Sequence, residues 1–382
     1  MNSIQSRLPG VGVSIFAVMS QLAAEHHAIN LSQGFPDFDC APELIELVRD
    51  WLGRGRNQYA PMPGVLPLRE QIAAMLGRLY GATYDPGSEI TVTAGATEAL
   101  FATITALVHP GDEVVVVQPC YDSYVPAIRL AGGTPRFVTL RYPGYAIDWS
   151  AVRAAITPRT RVIILNSPHN PTGGVWDEAD VRALAAVLEA TPAIVISDEV
   201  YEHLVYDGRR HESLARVPDM AARAVVIGSF GKSFHTTGWK VCWTAAPAAL
   251  SAEIRKVHQF VTFAVNTPIQ HAYADLLARG VDFGALTRFY QAKRDRFLAA
   301  IQGSRFVPVP CRGTYFQVAV RSNHGAQLSD TPDMDQAWQI LPLLGDSESK
   351  VGTPSQQPGF RVGQPKLRQF VQGGRRPVPP AG

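Results

Sequence analysis

Apolar residues in the first two thirds of this chain fall in short unbroken runs rather than alternating rows. Val114-Val115-Val116-Val117 and Val162-Ile163-Ile164-Leu165 are apolar at every position. A strand wetted on one face would alternate, so these runs predict strands buried on both faces of a mostly parallel sheet. The pattern places strands at Glu89 to Thr93, Glu113 to Gln118, Arg161 to Asn166, Ala193 to Asp198, Ala224 to Ser229 and Val241 to Ala246. Helical stretches lie between them, among them Glu98 to Val108, Tyr124 to Ala131 and Asp177 to Glu189. The expected fold class is α/β: a three-layer α/β/α domain with its ligands beyond the carboxyl ends of the strands.

After about Leu250 the pattern turns helical, through Glu253 to Phe263, Pro268 to Leu277 and Phe283 to Gln302. Gly313 to Val318 then reads as a strand of a smaller α+β domain. Beyond Asp335 the character changes: Gly, Pro, Gln and Ser dominate from Gly352 onward, periodicity is lost, and Gly373 to Gly382 reads as disordered. Near the start, Ile15, Met19 and Leu22 share one face of an amphipathic helix, which fits that stretch better than a signal peptide does.

Composition narrows the partners. The 382 residues are 46% hydrophobic and 18% charged with a net charge of +2, and no long run of like charge occurs. Nucleic acid and membrane are therefore not expected partners. Four scattered cysteines (Cys40, Cys120, Cys242, Cys311) form neither a CxxC pair nor a metal-spaced cluster, which favours a reduced, cytoplasmic chain without a metal.

The candidate chemistry gathers at strand ends. Thr93-Ala94-Gly95-Ala96-Thr97-Glu98 leaves a strand and opens a helix, offering free N–H groups and a positive helix end to an anion, although a plain βα turn reads the same way. Tyr121 follows another strand, where it can stack on a ring or simply pack. Asn166-Ser167-Pro168-His169-Asn170-Pro171 is a proline-pinned loop in which His169 reads as a surface residue. Asp198, with Tyr201 three residues on, ends a fourth strand; a carboxylate there can keep a pyridine nitrogen protonated. Ser229-Phe230-Gly231-Lys232, followed by Lys240, supplies an amine for a Schiff base and a hydroxyl and cation for a phosphate. Aldehyde plus phosphate on one small molecule describes pyridoxal 5′-phosphate (PLP), an electron sink for a Cα carbanion.

In order and spacing these motifs resemble the fold-type I PLP enzymes, specifically class I aminotransferases. Leu31-Ser32-Gln33-Gly34-Phe35-Pro36, Asn57-Gln58-Tyr59-Ala60-Pro61 and Ser229-Phe230-Gly231-Lys232 narrow the resemblance to the branch of methionine and kynurenine aminotransferases. It runs from about Leu8 to Gln317. It implies that Lys232 is the Schiff-base lysine and proton shuttle, with Asp198 on the pyridine nitrogen and Tyr201 and Asn170 on the ring 3-oxygen. Tyr121 would stack on the ring, and Gly95, Ala96, Thr97, Ser229 and Lys240 would hold the phosphate. Tyr59 would reach in from the partner of a homodimer, and Gly34 and Asn170 would lie beside the substrate. The implied division is an N-terminal arm of the small domain (1–40), a large PLP-binding domain (41–280), the small domain (281–335) and a divergent, poorly ordered tail (336–382).

Two departures stand out. Cys242 occupies a position where the family usually has glycine, which requires ordinary φ and some space. The family's carboxylate-clamping arginine, in a short apolar strand near the C-terminus, has no counterpart except Arg361 or Arg368. The abrupt break at residue 336 fits an out-of-frame reading of a C-terminal domain; resequencing around that codon tests this. The implied activity is transfer of the amino group of a methionine-like or aromatic amino acid to a 2-oxo acid. A PLP-dependent cysteine-conjugate β-lyase, or an inactive PLP-binding chain, remains the alternative.

Overall fold

The computed structural model describes residues 4–28, 30, 36, 38–304, 306–321 and 339–342. Helix α1 (Ile15–Glu25) starts at Ser14, whose hydroxyl accepts from the Ala17 N–H. Helices α2 (Pro42–Gly53) and α3 (Leu66–Tyr80) each carry proline in the first turn, where its missing N–H has no partner to lose, and α3 stops at left-handed Gly81. The alternating core follows: β1 (Ile90–Thr93), α4 (Ala96–Leu107), β2 (Glu113–Gln118), α5 (Tyr124–Leu130), β3 (Thr134–Thr139), α6 (Trp149–Ala155), β4 (Thr160–Asn166), α7 (Glu178–Leu188), β5 (Ile194–Asp198), α8 (Pro218–Ala221), β6 (Ala224–Ser229), α9 (Phe230–Ser233) and β7 (Cys242–Ala245). Helices α10 (Ala248–Val261), α11 (Thr267–Arg279) and α12 (Phe283–Ile301) lead to β8 (Phe306–Pro308), β9 (Phe316–Arg321) and β10 (Gln339–Pro342).

Strands β1 to β7 form one sheet in the order β1-β7-β6-β5-β4-β2-β3, with β7 antiparallel to both neighbours and the other pairings parallel. The continuous apolar runs divide between two cores, as burial on both faces requires. Val115, Val117, Ile163, Leu165 and Val195 enter one, while Val114, Val116, Val162, Ile164 and Ile196 enter the other. Gly228 admits the ring of Trp243 from the facing position of β7; a Cβ there would lie 2.1 Å from the indole.

Strands β8, β9 and β10 make a second, three-stranded antiparallel sheet. Part of the expected tail, Gln339–Pro342, is thus paired with β9; Arg361 and Arg368 lie outside the described residues. The expected strand at Gly313 begins three residues later, because Gly313, Thr314 and Tyr315 form a loop bonded to residues 204–206, in the segment that follows β5. Arg294 of α12 fastens this neighbourhood. It makes paired bonds to Asp207 at 2.7 and 2.6 Å and donates to the Cys311 carbonyl at 2.9 Å. The hydrogen bond from Arg294, followed by its charge, holds the Asp207 carboxyl below its ordinary range despite desolvation.

Candidate active site

The parallel strands end on one rim, and β7, running the other way, begins there. One cavity of about 250 Å³ at this rim is lined by Gly95, Ala96, Thr97, Tyr121, Asn170, Asp198, Tyr201, Ser229, Lys232 and Lys240, together with Asn166, Cys242 and Phe316. Six separate stretches of sequence therefore converge as strand-end geometry demands.

One end of the cavity is built for an anion. Helix α4 starts at Gly95 with no side-chain cap, leaving its first N–H groups facing the opening. Gly95 has φ +86 and ψ 163, a region essentially closed to other residues, and a Cβ there would lie 2.7 Å from both Cε and Nζ of Lys240. The absent side chain lets this ammonium lie across the helix start. Ser229 ends β6 and faces Cys242 in register; the Cys242 thiol donates to Ser229 Oγ at 3.0 Å. Cys242 sits in extended strand backbone, so a thiol fits where the resemblance expected glycine. Burial pushes that thiol up to about 11, so it stays a donor.

The other end is built for a cation. Asp198 is buried at the end of β5, and Tyr124 donates to its Oδ2 at 2.5 Å. Burial raises the carboxyl to about 6, against the lowering effects of the Tyr124 bond, the Val200 N–H and Lys232. Asn166 Nδ2 donates to the Asp198 carbonyl at 2.8 Å, while Asn166 Oδ1 accepts from the Asn170 N–H at 2.6 Å, so one side chain ties the two loops together. Tyr201 follows in a turn, not a helix, and is buried; desolvation raises its phenol well above the usual value, with Tyr315 adding to this. Tyr121 is linked to Thr97 through their hydroxyls at 3.0 Å. Between the two ends stands Lys232, whose Nζ donates to Tyr315 Oη at 2.7 Å.

Tyr59 does not line this cavity; it is 82% exposed and meets Phe263 edge-on. Gly34 lies outside the described residues. His169 is buried, not at the surface: its Nδ1 bonds Thr172 Oγ1 at 2.8 Å, and desolvation lowers its imidazole to about 4. Tyr124 and Tyr315 have no site role in the sequence reading, which counts Asn166 among the strand-end polar residues without naming its partner. Tyr124 opens α5, three residues after Tyr121 and outside any motif of the site; Tyr315 carries no local signal because its partner is 83 residues away.

The residues fit a phosphorylated pyridine aldehyde: an uncapped helix start with a lysine across it, a buried carboxylate, and an amine between them. Residues 26–365 match the family described as aminotransferase class I and II. The chain belongs to this family, and is therefore a PLP-dependent enzyme that moves an amino group between an amino acid and a 2-oxo acid. The match extends past residue 336. Among its relatives, the methionine aminotransferase of Escherichia coli (strain K12) is 52% identical over 313 residues, 82% of this chain and 81% of the relative. A kynurenine–oxoglutarate transaminase of Dictyostelium discoideum is 36% identical over 345 residues, 84% and 79% of the two chains. Among solved structures, YbdL from Escherichia coli, described as having a methionine aminotransferase function, superposes with a TM-score of 0.81 at 51% identity over 83% of this chain and 84% of that one. Aspartate aminotransferase from Thermus thermophilus with maleate gives 0.77 at 31% identity over 84% and 85%.

Proposed function

We propose that this enzyme takes the amino group from methionine or a similarly apolar amino acid, in a cytoplasmic homodimer. The observation that carries the reading is Lys232 Nζ standing in one cavity with the buried Asp198 carboxylate and the Lys240-crossed helix start. The 52% identity to a methionine aminotransferase supports the substrate class. So does Phe316, which lines the cavity and packs edge-on with Tyr201, offering the polarizable surface a thioether favours.

In this reading Ala96, Thr97, Ser229 and Lys240 would hold the phosphate, Asp198 would pair with the ring nitrogen, Tyr201 and Asn170 would bond the 3-oxygen, and Tyr121 would stack on the ring. PLP, when bound, supplies the electron sink that makes the substrate Cα–H acidic. Lys232 Nζ takes the Cα proton and gives it back, a transfer whose efficiency depends on holding that nitrogen close to its target. Tyr124 keeps the Asp198 carboxylate aimed into the cavity, and Asn166 fixes the backbone beneath it.

The homodimer accounts for Tyr59. It stands exposed with Phe263 and, nearby in sequence, Phe260 at 85% exposure, a grouping of aromatics that fits cover by a second copy. Four free cysteines suit a reducing compartment. The divisions at residues 40 and 280 are kept as part of this proposal, with Gln339–Pro342 joined to the small domain through its pairing with β9.

The test is an absorbance spectrum of PLP-loaded protein with and without methionine. A visible band that moves to the ultraviolet on adding methionine is expected, with the oxo acid of methionine as product. A band indifferent to every amino acid would overturn the substrate assignment, and pyruvate release from a cysteine conjugate would redirect it to β-elimination.

A further inference from the structure

The loop Gly313-Thr314-Tyr315 belongs by connection to the second sheet, yet it is fastened to residues 204–206, in the segment that follows β5 of the large one. Val205 and Gly313 form an isolated bridge, the Thr314 N–H donates to the Leu204 carbonyl at 3.0 Å, and the Tyr206 hydroxyl donates to the Thr314 carbonyl. Gly313 lies so close to Leu204 that a Cβ would meet its carbonyl oxygen at 2.6 Å. Thr314 adopts φ +66, costly for a β-branched residue, and its hydroxyl accepts from the Phe316 N–H at 3.1 Å. Strain of this kind persists only where surroundings enforce it. What it achieves is the placement of one side chain: Tyr315, 3% exposed, with Oη 2.7 Å from Lys232 Nζ.

Among the described residues this is the only hydrogen bond made by Lys232 Nζ. The ammonium also lies 5.4 and 5.3 Å from the ring centroids of Tyr201 and Tyr315, and those two rings meet edge-on. A lysine that alternates between a bond to the cofactor and a free amine needs a resting place in the free state. Its four-carbon stem would otherwise wander, and the proton it carries would have no fixed position.

We propose that Tyr315 is a positioning residue of this aminotransferase: its phenol oxygen accepts from Lys232 Nζ whenever the amine is free, holding it on the proton-transfer path. No proton passes to Tyr315. Lys232 gains the Cα proton, donates a hydrogen bond to Oη as an ammonium, and later releases the same proton, so the phenol keeps its own throughout. Burial works against the Lys232 charge, but the Tyr315 oxygen and hydrogen bond favour it, and the amine lies above its ordinary value. The proposal rests on Lys232 being the cofactor-linked lysine.

The test uses Tyr315→Phe, which removes one oxygen, with Tyr290→Phe as a control for an altered aromatic neighbour 5.7 Å away. The first readout needs no turnover: Lys232 of the cofactor-free protein is labelled with trace acetic anhydride at pH 8 and followed by peptide mass spectrometry. Y315F is expected to label about tenfold faster, as for the loss of one hydrogen bond to a charged group, while Y290F labels like the wild type. The second readout is kcat with methionine, expected to fall on the order of ten- to a hundredfold for a lost hydrogen bond to a charged group. It should come with an enlarged isotope effect for α-deuterated methionine and little change in KM. Unchanged labelling together with unchanged kcat and isotope effect would overturn the proposal. If wild type itself shows no cofactor band or no response to methionine, it is the parent assignment that fails.

Discussion

The cofactor cradle and the loop that carries Tyr315 meet at Lys232 but are built in opposite ways. The cradle is regular: apolar strands end on one rim, and each places a small or polar residue there at no cost to its own burial. The Tyr315 loop is irregular, held by Gly313 against Leu204 and by a strained Thr314. Regular elements can present polar groups because the backbone is already satisfied. A single aromatic reaching across from another sheet must instead be held by its surroundings. The cradle should therefore fail through chemistry when altered, and the loop through geometry.

The largest effect belongs to Lys232→Ala. Removing a positioned proton-transfer group costs 10²–10⁴-fold, so methionine turnover should fall on the order of 10³-fold or more. PLP should remain bound reversibly through the Lys240 and helix α4 contacts, seen as cofactor that dialyses away slowly. If K232A retains turnover within tenfold of wild type, the cradle has been assigned to the wrong nitrogen.

Asp198→Asn separates function from stability. In cofactor-free protein Asp198 lies near 6, above the unfolded carboxyl at about 3.8. The folded state thus holds its proton more tightly, and stability falls as pH rises from about 4 through 6. Two units correspond to roughly 3 kcal/mol above pH 7. D198N should therefore stabilise the apoprotein by up to that amount at pH 8 and by nearly nothing at pH 4, while abolishing the response to methionine. Denaturant unfolding at both pH values decides it; equal effects at the two would mean Asp198 is not the buried anion it is taken for.

Gly95→Ala tests the phosphate end. The φ and ψ at Gly95 cost about 1–3 kcal/mol in any other residue, and the new methyl would collide with Lys240. A loss of about 2 kcal/mol in PLP affinity is expected, some thirtyfold in Kd by titration. An unchanged Kd would show that Lys240 does not need this path.

How much of this was legible follows from the same contrast. Ser229, Lys232 and Lys240 lie within a dozen residues after an apolar run, so local pattern exposes them. Strand β3 escaped because it sits at the sheet edge with four of six residues exposed, giving no apolar run to read. His169 was misread because its loop of prolines resembles surface; Thr172 satisfies one ring nitrogen and lets it go inside. Tyr124 and Tyr315 act on partners 74 and 83 residues away. No window along a sequence contains such pairs, and only the strand order brings them together.

The smallest effect sharpens the loop side. Thr314→Gly relieves a left-handed conformation worth about 1–2 kcal/mol. It also removes the hydroxyl that accepts from the Phe316 N–H, about 1 kcal/mol, and frees the unfolded chain by about 0.4–1 kcal/mol. These nearly cancel, so net stability should change by less than about 1 kcal/mol. What distinguishes the outcomes is Lys232. If the backbone contacts to Leu204 and Tyr206 hold the loop, acetylation of Lys232 in T314G should match wild type. If it rises to the level of Y315F, the threonine side chain sets the tyrosine's position, and the strain at Thr314 is then the means by which the loop reaches the catalytic amine.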